Sequence, residues 1–283
     1  MFKLWYIYAA TCVIAGSIAS LYLRAMMKKE ENDPIVFSIV FQFTLSIIVS
    51  IFALYKGFIF PPFATLWPNF LFSGALYALG VVCNFRASKY IGAGEMTIIT
   101  ASGTLVSIAL GVLLLGNPFG LVKSLGTVLI LSSTFILYGK ERMKINKGVW
   151  FALVSALCYG VAVVNDSYIL RSYNAISFVP MMTIIPGLII AITNIKSLKK
   201  VKTIFQPRSM QHIFLYSLFY AVAAISFYLS LESGAPVSQM SPISRASIIV
   251  TVILATIFLK ERKGLLEKSI SAVFVTIGVL LMA

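Results

Sequence analysis

Acidic residues are scarce in this chain of 283 residues, with nine Asp and Glu against 23 Lys and Arg, and it holds one histidine and three cysteines. Cys12, Cys83 and Cys158 all fall inside apolar runs and no pair has metal-ligand spacing, so no zinc or haem site, and no other cofactor or metal, is expected. The chain also lacks a nucleophile elbow, a glycine-rich phosphate loop and an ATPase signature. ATP-driven pumping by this chain alone is thereby excluded, and, with no recognisable nucleophile, metal cluster or acid-base pair, it reads as no enzyme. Charge of either sign is sparse, at 11%, while 59% of residues are hydrophobic and the mean hydropathy is +0.95. A water-soluble domain of this length needs a larger polar shell.

What the chain has instead is ten apolar stretches. Each is about 18 to 25 residues long, enough to cross a hydrocarbon core of roughly 30 Å. They run Leu4 to Leu23, Pro34 to Tyr55, Trp67 to Ala87, Ala93 to Leu115, Phe119 to Tyr138, Val149 to Leu170, Ile176 to Asn194, His212 to Leu231, Ala235 to Leu259 and Leu265 to Met282. No period-2 alternation marks a barrel, so the expected fold is an all-α integral membrane protein of ten transmembrane helices. The first stretch is longer than a signal-peptide core and has a counterpart in the second half, which makes it a membrane helix. Trp5, Trp67 and Trp150 stand at span starts, where interfacial anchoring accounts for them.

The net charge of +14 is a matter of topology. Connections after the odd-numbered spans carry 18 of the 23 basic residues, against Lys3, Lys56, Lys123 and Arg171 at the other face. By the positive-inside rule the first set is cytoplasmic and both termini are extracytoplasmic, in a cell (inner) membrane. No nucleic-acid partner is implied.

An internal repeat offset by 144 residues matches Met96 with Met240, Ile99 with Ile243, Val106 with Val250, Leu110 with Leu254 and Gly120 with Gly264, and Tyr77 meets Tyr220 after a one-residue gap. Two five-helix repeats follow, residues 1–142 and 143–283. Five is an odd number, so the second enters the membrane from the opposite face, and in such inverted repeats the substrate site lies at the junction.

The corner residues carry a family resemblance. Ser241-Pro242-Ile243 leads through an apolar run to Phe258-Leu259-Lys260-Glu261-Arg262, and Leu114-Leu115-Gly116-Asn117-Pro118 stands at the first-half corner with Asn-Pro in place of Glu-Arg. The chain resembles the drug/metabolite transporter superfamily, EamA-like type, over essentially its whole length. That resemblance implies a secondary transporter of small metabolites such as amino acids or organic acids.

Arg245 lies about 15 Å into the ninth span, near the bilayer midplane, where an arginine faces protein or a water-filled cavity. Its planar fork of donors suits a carboxylate or phosphate, while a tie to backbone carbonyls or a buried acid is the alternative reading. Gln239, Ser241 and Ser244 share its span, which Pro236 and Pro242 are expected to break. Asn84, Tyr77 and Tyr228 are further candidates for substrate contact or for helix-helix hydrogen bonding. Glu95 is the candidate for proton coupling, or else complements a helix dipole. Asp166 is expected to pair locally with Arg171 or to be solvated.

The sequence thus reads as a secondary transporter, an exporter, exchanger or facilitator, using alternating access through a central cavity. Its partners are the lipid bilayer, a small-molecule substrate and, in a coupled mechanism, a proton, with one chain sufficient to build the cavity. The alternatives are a proton-coupled exporter of hydrophobic amines or cations, and a nontransporting membrane scaffold.

Overall fold

The computed structural model describes residues 4–27, 33–61, 63–87, 89–91, 93–138, 146–201, 207–247, 249–250 and 265–282. Among the described residues the secondary structure is helical: α1 Leu4–Met27, α2 Pro34–Lys56, α3 Phe63–Ala87, α4 Ala93–Leu115, α5 Leu121–Tyr138, α6 Lys147–Ile169, α7 Ala175–Thr193, the short α8 Ile195–Leu198, α9 Pro207–Glu232, α10 Val237–Ser244 and α11 Leu265–Met282. Five of them, α2, α3, α6, α7 and α9, are long and apolar enough to cross a membrane over their described residues.

Local chemistry sets the ends. Asp33 accepts from Ile35 N at 3.1 Å with Pro34 in the first turn, where its missing N–H costs nothing. Asn146 caps α6 by accepting from Gly148 N at 2.7 Å, and Asn174 caps α7 by accepting from Ser177 N at 2.8 Å. At the far end of α2, Gly57 takes a left-handed φ of 89° that closes the helix.

The ninth span is interrupted within its described residues. Helix α10 covers only eight residues, and the chain turns at Arg245 and Ala246, whose amides bond three residues back to Pro242 O and Ile243 O. Pro236 stands in extended backbone before α10 and Pro242 lies within it. Residues 251–264, which include the Phe258 to Arg262 corner, lie outside the described residues. Three other helices outrun the expected spans: α1 ends at Met27, α3 starts at Phe63 with Pro68 inside it, and α9 starts at Pro207, the first helical position, where a missing N–H costs nothing.

Packing joins the two parts of the chain helix by helix. The most extensive contacts are α1 along α9, α3 along α6, α5 along α11, α4 across α6 and α2 along α7. Small residues permit the closest of them. A Cβ on Gly103 would lie 2.5 Å from Ala156 O and one on Gly160 would lie 2.6 Å from Gly103 O, so α4 and α6 touch backbone to backbone. Gly126 and Gly278 do the same for α5 and α11, each Cβ falling 2.7 Å from the other's carbonyl.

Large apolar side chains face outward, as Leu54, Leu113 and Leu121 do, while Ser17, Ser38, Ser73, Ser155 and Ser230 are buried. That arrangement suits a hydrocarbon solvent, because interior serines can return their hydroxyls to helix carbonyls: Ser17 bonds Val13 O, Ser46 bonds Gln42 O and Ser230 bonds Ser226 O. The tryptophans divide. Trp67 and Trp150 are exposed as interfacial anchors require, whereas Trp5 is buried against Tyr6 and α9, so it is a packing residue.

Candidate substrate cavity

Helices α1, α2, α3, α4, α6, α7, α9 and α10 line a partly open cavity of about 510 Å³. One wall is polar and built by α4 and α10: Thr100, Thr104, Ser107, Ser241, Ser244 and Arg245. The opposite wall is aromatic. Phe41 stands in it with its ring 4.7 Å from Tyr216, 5.3 Å from Tyr220 and 6.4 Å from Phe85.

Arg245 is the formal charge on the polar wall among the described lining residues. Its Nε donates to Thr104 Oγ1 at 2.8 Å and its Nη2 to Thr100 O at 3.0 Å. Both partners are neutral, so among the described residues the guanidinium keeps its charge uncompensated and three of its five N–H donors without a partner. Arg245 is the C-cap of α10, with αR backbone, and its side chain lies against Thr100 and Thr104 of α4.

The sequence candidates separate here. Arg245, Ser241, Ser244, Asn84, Tyr77 and Tyr228 all line the cavity. Ser244 Oγ bonds back to Ser241 O at 2.7 Å, while the buried Ser241 hydroxyl has no partner among the described residues. Gln239 does not reach the cavity. It faces α5 and α11, where in the orientation its surroundings favour its amide meets Met282 O at 3.1 Å and Lys123 Nζ, because two residues along a helix turn a side chain to the opposite side. The side chain of Glu95 lies outside the described residues.

Asp166 contradicts the expectation of a local pair or a solvated side chain. It is fully buried, accepting from Ser73 Oγ at 2.6 Å, from Tyr77 OH at 2.5 Å and from Tyr228 OH at 3.0 Å, and Arg171 instead donates to Leu115 O. Asn165 beside it donates to Ser73 Oγ and Asn69 O, and accepts from Asn69 Nδ2 at 2.6 Å. The residues that sequence reasoning passed over are Asn69 and Ser73, which with Tyr77 recur every four positions and so share one face of α3. That spacing was the available signal, as was an acid next to an asparagine inside a span.

The cavity is closed at this end. Tyr228 packs edge-on to Phe178 at 4.8 Å, Phe178 meets Phe70 at 5.8 Å, and Phe70 meets Tyr173 at 5.7 Å. Tyr173 OH then donates to Ile59 O at 2.6 Å, and Ile59 N donates to Ser177 Oγ at 3.0 Å. The connection after α2 is thereby fastened to the connection after α6.

A helical bundle with an internal cavity, a charged polar wall facing an aromatic one and apolar residues outside defines a multi-pass membrane protein. A model of the EamA-like transporter family matches it twice, over residues 3–139 and 146–283, and the chain belongs to that family of drug/metabolite-type membrane transporters. No curated protein matches the sequence. Among solved structures, one titled only "Crystal structure of protein" is similar over 97% of this chain and 94% of its own, with a TM-score of 0.76 and 15% identity, which is a likeness of fold.

Proposed function

We propose that this chain is a secondary transporter of a small anionic or zwitterionic metabolite, of the amino-acid or organic-acid class, and that Arg245 holds the substrate's carboxylate. The observation that carries the reading is a guanidinium with three donors unused among the described residues, on the wall of a cavity of about 510 Å³, a size that fits a small molecule. The aromatic wall across from it offers packing for the substrate's less polar part.

The reading takes the chain as ten membrane helices in two inverted five-helix repeats, 1–142 and 143–283, acting as a monomer in a cell membrane with both termini extracytoplasmic. The helix pairings support inversion. Exchanging each helix for its repeat partner turns the α1 and α9 pair into the α6 and α3 pair, and leaves the α2 and α7 pair and the α5 and α11 pair unchanged. A two-fold axis has that effect. Alternating access then requires the closed end at Tyr228, Phe178 and Phe70 to open as the other closes.

The test is the thermal stability of the purified protein against amino acids, organic acids, phosphorylated metabolites and amines, with and without Arg245→Gln. A ligand at about 100 times its dissociation constant stabilises the fold by roughly 2.7 kcal/mol. The expected result is stabilisation by one anionic class that disappears in the variant. Stabilisation by amines, or anion binding indifferent to the substitution, would overturn the assignment.

A further inference from the structure

We propose that Asp166, together with Tyr77 and Tyr228, forms a proton-binding site that opens onto the cavity through the two tyrosine hydroxyls, and that this proton is the ion coupled to transport. The coupling half rests on the transport reading above; the proton site does not.

Proton bookkeeping at three oxygens is the first argument. Asp166 Oδ2, Tyr77 OH and Tyr228 OH lie at the corners of a triangle with sides of 2.5, 3.0 and 2.9 Å. All three sides are hydrogen-bond distances, and a hydrogen bond needs one proton per side. Two phenols and an ionised carboxylate supply two. A protonated carboxyl supplies the third, which closes the ring with Tyr77 donating to Oδ2, Oδ2–H donating to Tyr228 and Tyr228 donating to Tyr77. The other carboxyl oxygen is already served by Ser73 in either state.

The surroundings are the second argument. From α3 the groups facing Asp166 are Ser73 and Tyr77, with Asn69 behind them, from α9 Tyr228, and from α6 itself Asn165. Tyr159 stands behind Tyr77 at 5.8 Å between ring centres, and α7 contributes the apolar Phe178 against Tyr228. No described side chain of α4 or α10 hydrogen-bonds to the carboxyl. Neither arginine in this region bonds to the carboxyl: Arg171 donates to Leu115 O, and Arg245 sits against Thr104 and Thr100 on the polar wall. Among the described residues, then, no cation compensates an ionised Asp166, and a fully buried carboxylate without a counter-charge is costly.

Access is the third argument. Tyr77 and Tyr228 line the cavity and Asp166 does not. A proton therefore reaches the carboxylate by a relay: a hydronium ion in the cavity protonates a tyrosine oxygen and becomes water as that tyrosine passes its own proton to Oδ2, and the phenol ends unchanged. The same Tyr228 heads the aromatic ladder that closes this end, so the protonation state of the triangle bears directly on how firmly the end is shut. Ser73 and Tyr77 belong to α3, whereas Asp166 and Tyr228 belong to α6 and α9, so the site joins the first part of the chain to the second.

The test begins without any substrate. Infrared difference spectra of the full-length protein in phosphatidylethanolamine and phosphatidylglycerol liposomes, titrated from about pH 5 to 9, are expected to show the carbonyl stretch of a protonated carboxylic acid. That band fades as the pH rises, shifts in deuterium oxide, ignores replacement of potassium chloride by sodium chloride, and is missing in Asp166→Asn. Tyr77→Phe and Tyr228→Phe keep the acid but move its titration midpoint, which covers the case of an Asn variant that does not fold. Absence of such a band, a band that neither pH nor these two variants move, or one abolished by sodium at constant pH would overturn the proton site. With a ligand found in the thermal screen, liposomes containing a pH dye are expected to report proton movement alongside substrate in the wild type. Asp166→Asn should keep substrate counterflow but move no protons, and unchanged proton movement in it would overturn the coupling. A screen with no ligand counts against the transport reading, while the infrared titration still decides the proton site.

Discussion

Thr104 Oγ1 accepts from Arg245 Nε at 2.8 Å, so a hydroxyl on α4 fixes the plane in which a guanidinium on the neighbouring segment meets the cavity. Thr104→Val keeps the branched shape and removes the acceptor. The expected consequence is an anion affinity weakened about fivefold, corresponding to roughly 1 kcal/mol. It is read from the ligand concentration that half-saturates thermal stabilisation, and an unchanged value would remove Thr104 from the positioning of Arg245.

Ser244 faces the cavity and Gln239 faces α5 and α11, although they are five residues apart on one short helix. In a chain with Cys12→Ala, because Cys12 also lines the cavity, Ser244→Cys should react many-fold faster than Gln239→Cys with a small water-soluble thiol reagent. Substrate should protect only the former. Equal rates would mean that the cavity wall is drawn wrongly.

Backbone contact between α4 and α6 leaves no room for a methyl group at Gly103, where a Cβ would meet Ala156 O at 2.5 Å. Gly103→Ala should therefore destabilise the protein by roughly 1–3 kcal/mol. Gly120→Ala, with nothing within 4 Å of its Cβ, is the control and should be near neutral. Thermal melts of the two variants decide the matter, and equal melting temperatures would contradict the close crossing.

Tyr173 sits in the connection between α6 and α7, and burial pushes its phenol up from 10.0 to about 12. A raised folded-state value for an acid means that its contribution is complete below about pH 10 and is lost as the pH climbs toward 12. Tyr173→Phe, lacking the bond to Ile59 O, should melt lower at neutral pH. The gap between wild type and variant should then narrow through this alkaline window. A constant gap would show that the hydroxyl does not fasten the two connections.

Much of the fold is legible in the sequence because apolar run length is set by the membrane and caps are set by single residues. Pro34, Asn146 and Gly57 mark helix ends by chemistry that acts within a turn or two. The break at Arg245 is less legible: two prolines announce irregular backbone, but the turn comes three residues after Pro242, where packing against α4 holds the arginine. The polar residues inside the spans follow the same division. Arg245 stands out because a charge at mid-span has few explanations. Asp166 does not, since its depth along α6 resembles that of a helix end, and only the assembled bundle brings Ser73 and Tyr77 from 89 or more positions away. Gln239 fails for the converse reason, as membership in the right helix does not fix which side of it a residue occupies.

The glycine crossings have a mechanical meaning. Gly103 with Gly160, and Gly126 with Gly278, meet through main-chain atoms, and a main-chain bearing has few interlocked side chains to disengage when one rod turns on another. Friction in a bundle comes from knobs that must leave their holes. At these two points few side chains stand between the helices, Val106 at the first and Ile130, Leu281 and Met282 at the second, so any turning of α4 on α6 or of α5 on α11 has little but main-chain contact to displace.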